Sequence, residues 1–540
     1  MRLKLLAAFA STSFCAAAFA QNAEPEFRPE PFRAHVAFLA DDLLEGRDAA
    51  TRGYDIAAKY VATRFEALGL KPATNSGWYQ TVPFVRARLG ETPAKVTVGG
   101  AAFSNGKGVL IRPSTAEASQ TIEAPVVFAG YGLDQPGQGF NDYRGLDVRG
   151  KWVAVLSGSP KGTQSEIGAH LNSEKARMAE RHGAIGIITV LTRQDMERRP
   201  WARRIEGMNE PELSWVDPAG QLFATAPGIK GTATFDSSAA KALFAGSRRS
   251  LEAILDEAAK EGGKPGGFAL KPIVRLERQS IPERVTSPNV LAVLPGSDPA
   301  LAGEYVLLMA HLDHVGVNPE RDGDKIYNGA MDNAGGIATM LEVARAMASA
   351  PDRPRRSILF AAVTAEEKGL LGAQYLAKNP VVGNGKVVGV VNLDMPILLY
   401  DFQDVIAFGA NHSSLGPIVA RAGQRMGVAL SPDPLPQEGL FTRSDHYRFV
   451  QEGVPSVFLM TGFAGEGGQR FRDFLATHYH KPSDQLDLPF NWSAGAKFAR
   501  INYLIAREIA DAPEAPRWNS DSFFGQTVGA GRSTEPAPQR

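Results

Sequence analysis

Short, continuous apolar runs recur through the second half of the chain: NVLAVLPG from Asn289, YVLLMA from Tyr305, SILFAAVT from Ser357, VVGVVNLD from Val387 and PSVFLM from Pro455. Each is brief and rich in Val, Ile or Leu, the pattern of a strand covered on both faces. Between them GGIATMLEVARAMASA and LGPIVARAGQRM repeat apolar residues at helical spacing. Buried strands alternating with helices predict an α/β domain from about 285 to 511, with three layers and a mostly parallel, mixed central sheet. Near the other end, Ile56, Ala57, Tyr60, Val61, Phe65 and Leu68 mark one helix face, and Gly69 is its expected stop. The stretch from about 110 to 270 differs in texture. β-rich runs (PVVFAGYGL, KWVAVLSG) precede a helical SEKARMAERHGA and then IGIITVL, without a cluster of potential ligands.

The two ends read differently again. MRLKLLAAFASTSFCAAAFA places Arg2 and Lys4 before an apolar stretch and Ala18-Phe19-Ala20, the layout of a cleavable export signal cut before Gln21. Its apolar core is short for a membrane span. Cys15, the single cysteine, would leave with it, so the mature chain would have no disulfide and any metal site would use His and carboxylates. From about Ala512 the sequence is rich in Pro, Gly and Ser without period and is expected to be a mobile tail. Over 540 residues, 58 basic side chains balance 58 acidic ones. That balance gives no bulk electrostatic reason to coat nucleic acid or an anionic membrane.

The chemistry lies where the apolar runs end. YVLLMA runs directly into His311-Leu312-Asp313-His314, SILFAAVT into Ala365-Glu366-Glu367, and VVGVVNL into Asp394. A further segment, Asn328 to Gly336, carries Asp332 and opens a helix. Parallel strands would bring these groups to one sheet edge, where sites form in such folds. Singly, each has a bland reading: Glu-Glu as a solvated turn, Asp332 as a helix cap or turn. Together, histidine with several carboxylates and no thiolate is the donor set of a borderline-to-hard divalent metal.

In order, HLDHVG, NGAMDNAGG, TAEEKGLLGA, VNLDM and THYHKPSD resemble the motifs of the secreted zinc-dependent exopeptidases related to bacterial leucyl aminopeptidase, aminopeptidase Y and glutamate carboxypeptidase. LADDLLEGR and the helix after it are similar to that family's N-terminal segment, and the middle stretch resembles a protease-associated domain. The resemblance implies a leader at 1–20, an N-terminal part of the catalytic domain at 21–109, a protease-associated insert at 110–270, the zinc peptidase domain at 271–512 and a disordered tail at 513–540.

It further implies two zinc ions per chain. His311 and Asp394 would hold one, Glu367 and His480 the other, and Asp332 would bridge them, with a cis peptide to Asn333. Asp313 would hydrogen-bond the second nitrogen of His311. Glu366 would be the general base for hydrolysis. His478 and His314 are read as pocket wall and support. Arg443 and Tyr447, in FTRSDHY, are candidate substrate or oxyanion contacts between which the sequence does not choose. The implied activity is that of an exported aminopeptidase, periplasmic or secreted, acting on peptides with a free amino terminus. It would have no nucleic-acid partner and no membrane attachment once the leader is removed. Three alternatives remain: a carboxypeptidase on the same site, a cyclotransferase of the glutaminyl cyclase kind with one zinc, and an inactive binding scaffold.

Overall fold

The computed structural model describes residues 24–529 and the backbone of 534 and 535; the expected leader, with Cys15, lies outside them. The expected alternation is observed. Strands Ser357–Val363, Glu304–His311, Lys386–Leu393 and Ser456–Thr461 lie side by side and parallel. One edge of this group continues antiparallel through Asp404–Phe408, and the other through the long strand Phe268–Leu294 and then Tyr79–Leu89. The sheet is therefore mixed with a parallel centre, in the α/β class that the apolar runs predicted.

Alternation along the strands divides the core. Leu307 and Met309 pack with Leu359, Ala361 and Phe449 on one face, together with Ala373 and Leu376 of helix Leu371–Lys378. Val306, Leu308 and Ala310 point the opposite way into the larger cluster, which includes helices Gly335–Ser349 and Trp492–Asp511. Helix Arg52–Ala67 covers the same side. Thr51 caps it at the Tyr54 amide, and Gly69 follows at φ +71°, the stop expected from the sequence. None of the helices in the described residues is long and apolar enough to cross a membrane.

The middle of the chain builds a second set of strands. Trp152–Leu156, Gly186–Val190 and Gly231–Phe235 are parallel to one another, and Ser119–Phe128 joins Trp152–Leu156 to the first half of Phe268–Leu294. The expected boundaries at 110 and 270 shift outward. Lys95–Val98 already pairs with Val274–Glu277, and the same long strand crosses to Tyr79–Leu89 from Ser280 onward. One uninterrupted strand serves both sheets, so no linker punctuates the sequence there.

The expected tail also changes. Residues 513–529 are packed rather than mobile. Trp518 is fully buried, and its indole N–H donates to the Gly453 carbonyl at 2.8 Å. Ser522 caps the short helix Phe523–Thr527. Phe524 lies edge-on to His170, His412 and Phe441. A few large aromatic side chains hold this segment, and they leave no periodic pattern in the sequence.

Candidate metal centre

The carboxyl ends of the parallel strands do converge. His311 closes its strand, Glu366 and Glu367 follow Val363, and Asp394 follows Leu393. Asp332 arrives from the turn before helix Gly335–Ser349, and His480 from the loop after helix Gly467–Thr477. His311 Nε2 lies 3.3 Å from Asp332 Oδ1 and 3.2 Å from Asp394 Oδ1. His480 Nε2 lies 3.2 Å from Asp332 Oδ2 and 3.2 Å from Glu367 Oε2. Asp332 thus offers one oxygen to each side.

The protonation of His311 makes this geometry informative. Its Nδ1 faces the Asp313 carbonyl oxygen at 3.1 Å, an acceptor only, so Nδ1 carries the proton. In the neutral ring Nε2 then presents a lone pair toward two carboxylates, which is repulsive unless a proton or a cation lies between them. Burial alone would depress the basicity of His311, but Glu366 and Asp394, with its bonds to Asp332 and Asp394, hold it well above the ordinary imidazole range. His480 responds in the same way: burial opposes the charge, and Glu367 and Asp332 raise it to about 9. A cluster that draws protons onto both imidazoles is a cluster that lacks positive charge. The donor set of His, Asp and Glu suits zinc.

The second position is more crowded than expected. His314, read as support, places Nδ1 2.8 Å from Glu367 Oε1 and 3.9 Å from Asp332 Oδ2, so His314, Asp332 and Glu367 themselves form a ligand-like trio beside His480. Asp313 also departs from its expected role. His311 Nδ1 uses its main-chain carbonyl, whereas its carboxylate accepts the backbone N–H groups of Glu366 (3.1 Å) and Glu367 (3.2 Å). Only Leu312 separates His311 from Asp313, and the Asp313 carbonyl rather than its carboxylate lies beside the ring.

Glu366 is half-buried in this field. Burial, then the charges of Glu367, Asp445 and Asp394, push its carboxyl well above the usual range, with His311 acting against them. Tyr447 does not contact the centre as expected; its hydroxyl meets His170 Nδ1 at 2.6 Å and Ser173 Oγ at 3.4 Å. Arg443 is half exposed, 3.8 Å from Glu438.

Tyr479, which sequence reasoning passed over as the residue between two histidines, rests against the His480 ring with centroids 3.9 Å apart. Burial and the charges of Asp332, Glu367 and Glu366 raise its phenol well above the ordinary value, so it stays protonated and able to donate.

Other residues missed in the sequence hold these side chains in place. Ser444 donates to Asp394 Oδ2 at 2.5 Å and accepts from Asn392 at 2.7 Å. Asp484, the last residue of THYHKPSD, accepts from the Met331 and Asp332 amides at 2.9 and 3.0 Å. Burial raises its carboxyl to about 7. The Asp332–Asn333 peptide is cis. Asn333 accepts from Gly336 and Met395 and donates to Leu393, locking the bridging turn to the strand that leads to Asp394. A Cβ on Gly336 would lie 2.1 Å from Asn333 Oδ1 and 2.4 Å from the Leu393 carbonyl, so only glycine fits.

Residues 289–506, which carry all of these candidate ligands, match the model of peptidase family M28. This region belongs to peptidase family M28. The chain is similar to a probable zinc metalloprotease of Pyrenophora teres f. teres, 38% identical over 120 residues, which are 22% of this chain and 24% of that protein. It is also similar to leupeptin-inactivating enzyme 1 of Streptomyces exfoliatus, 29% identical over 220 residues, or 37% and 44% of the two chains. The chain thus spans less than half the length of these curated relatives. An aminopeptidase from Aneurinibacillus sp. strain AM-1 shares the fold with a TM-score of 0.51 at 19% identity, covering 91% of this chain and 95% of that one.

Proposed function

We propose that the M28 region is an aminopeptidase with two zinc ions, and that the chain is exported by residues 1–20 to act on peptides with free amino termini. The supporting observation is the pair of imidazole Nε2 atoms, each set between two carboxylates, with Asp332 common to both. His311, Asp394 and Asp332 would hold one ion, and Glu367, His480 and Asp332 the other, with His314 bracing Glu367. Bound there, zinc would lower the pKa of a water toward neutrality and polarise the scissile carbonyl.

The protein's own part of the reaction follows from the field around Glu366. A carboxylate with raised basicity accepts a proton from the attacking water and returns it to the leaving amine. Tyr479, kept protonated beside His480, donates to the developing oxyanion. The middle strands and their helix Ser165–Ser173 would act as a protease-associated wall of the cleft. Glu166 meets His412 at 2.8 Å and His170 meets Tyr447, tying that wall to the M28 region.

Three measurements test the reading. Metal analysis of the purified protein should give two zinc ions per chain; one tight ion would favour a cyclotransferase instead. Glu366→Gln should lower kcat about 10²- to 10⁴-fold with zinc content unchanged, and full turnover in that variant overturns the mechanism. Dipeptides blocked at either end separate an aminopeptidase from a carboxypeptidase, since each rejects one of them.

A further inference from the structure

We propose that Arg47 is a positioning residue of the metal centre, holding the ligand-bearing turns in their binding geometry whether or not ions are present. This rests on the two-ion reading above. Arg47 is 1% exposed and comes from the N-terminal segment, far in sequence from every ligand. Among the described residues its guanidinium spends its donors on main-chain carbonyls alone. Nε donates to Leu312 at 3.0 Å, Nη1 to Asn328 at 2.5 Å and to Leu39, and Nη2 to Gly329 at 3.1 Å. Leu312 follows the ligand His311, and Asn328 and Gly329 open the turn that delivers Asp332. The Arg47 carbonyl in turn accepts the His314 amide at 3.2 Å.

The same turn is gripped at its far end by Asp484, which takes the Met331 and Asp332 amides. Carbonyls at the entrance and amides at the exit are thus fixed by two oppositely charged buried side chains.

A buried guanidinium without a hydrogen-bonded carboxylate is normally unfavourable. Here burial lowers its pKa to about 10, while the charges of Asp484, Asp332, Asp313 and Glu367 act to retain the proton. The backbone is also bent to deliver it: Glu45, Gly46 and Arg47 all take left-handed φ, +48°, +67° and +52°. Two of these are not glycine, a run that persists only where the surroundings over-determine it. Gly46 itself admits no side chain, because a Cβ would lie 2.4 Å from the Tyr327 carbonyl and 2.5 Å from that of Gly316.

Charge and geometry predict opposite effects on metal binding. A fixed cation beside the site repels zinc, so removing the charge alone would tighten binding; losing the carbonyl clamp would weaken it. The structure favours the clamp, because all four hydrogen bonds run to the turns or to the helix end that supports them. Lysine keeps the charge but not the planar fork.

The experiment is zinc affinity by competition with a chromophoric chelator for wild type, Arg47→Lys and Arg47→Met, with circular dichroism as the check on folding. Both variants should bind zinc 10- to 100-fold more weakly. A folded Arg47→Met that binds as tightly as wild type or tighter overturns the inference, and so does a folded Arg47→Lys with unchanged affinity. Hydrogen exchange on the wild type provides a test independent of either variant. Segments 310–314 and 327–333 should stay protected after chelation, and their exposure in the metal-free protein overturns the inference. Wild type that binds no zinc at all overturns instead the two-ion reading beneath it.

Discussion

Trp518 gives the sharpest stability test, because its segment was expected to be unstructured. Its indole is fully buried and donates to the Gly453 carbonyl at 2.8 Å, in the turn that leads into strand Ser456–Thr461. Trp518→Ala removes a large aromatic side chain from a packed site, a change that costs about 3–5 kcal/mol. It also leaves the Gly453 carbonyl without its donor, and the two effects overlap because both concern one side chain. Trp518→Phe separates them. Phenylalanine fills most of the volume but cannot donate, so its cost is that of an unmade buried hydrogen bond, about 1–3 kcal/mol. The ordering wild type, Phe, Ala should appear as falling midpoints in urea denaturation followed by circular dichroism. Termination after residue 512 should destabilise at least as much as Trp518→Ala, since Phe523 and Phe524 leave with it. Equal midpoints for wild type and Trp518→Ala would refute the view that this segment is part of the folded core.

Tyr447→Phe should change kcat by no more than a few-fold, because its hydroxyl serves His170, whereas Tyr479→Phe should lose about 10²-fold in steady-state peptide hydrolysis. Burial lowers the Lys175 ammonium to about 7, below its unfolded value, although it donates to the Leu156 and Gly158 carbonyls at 2.7 and 2.6 Å. Between pH 7 and about 10 the unfolded chain then holds a proton that the folded one has released, so stability rises with pH, by up to about 5 kcal/mol across the window. Lys175→Met should lack that slope when denaturation midpoints are compared at pH 7 and pH 9.5, and identical slopes would contradict the assignment.

The apolar runs made the sheet legible because strands buried on both faces have little choice of composition. They also placed His311, Glu366, Glu367 and Asp394, since a polar group directly after such a run must emerge at the sheet edge. Asp332 stood out as a carboxylate opening a helix, but its bridging role came from the resemblance, as did His480, whose loop has no periodicity. Arg47 and Asp484 lie inside recognisable motifs, but their role is not legible there, because their partners are backbone carbonyls and amides, which every sequence contains and none advertises. Tyr447 was misjudged because its partner, His170, lies in the middle stretch, and one-dimensional spacing says nothing of which sheets meet. For Asp313 the sequence indicates the right neighbour, His311, but not which atom meets it, a distinction decided by the local backbone around Leu312.

Strand Phe268–Leu294 belongs to both sheets, and its pairing with Tyr79–Leu89 runs unbroken from Ser280 to Val290. A flap needs a pivot of a few free dihedrals, and a laddered strand offers none. Swinging the middle unit away from the catalytic edge would require peeling that ladder apart or bending a continuous ribbon. On the proposed reading, the middle unit is then a fixed jaw beside the cleft, its entrance width set at folding rather than adjusted at each turnover.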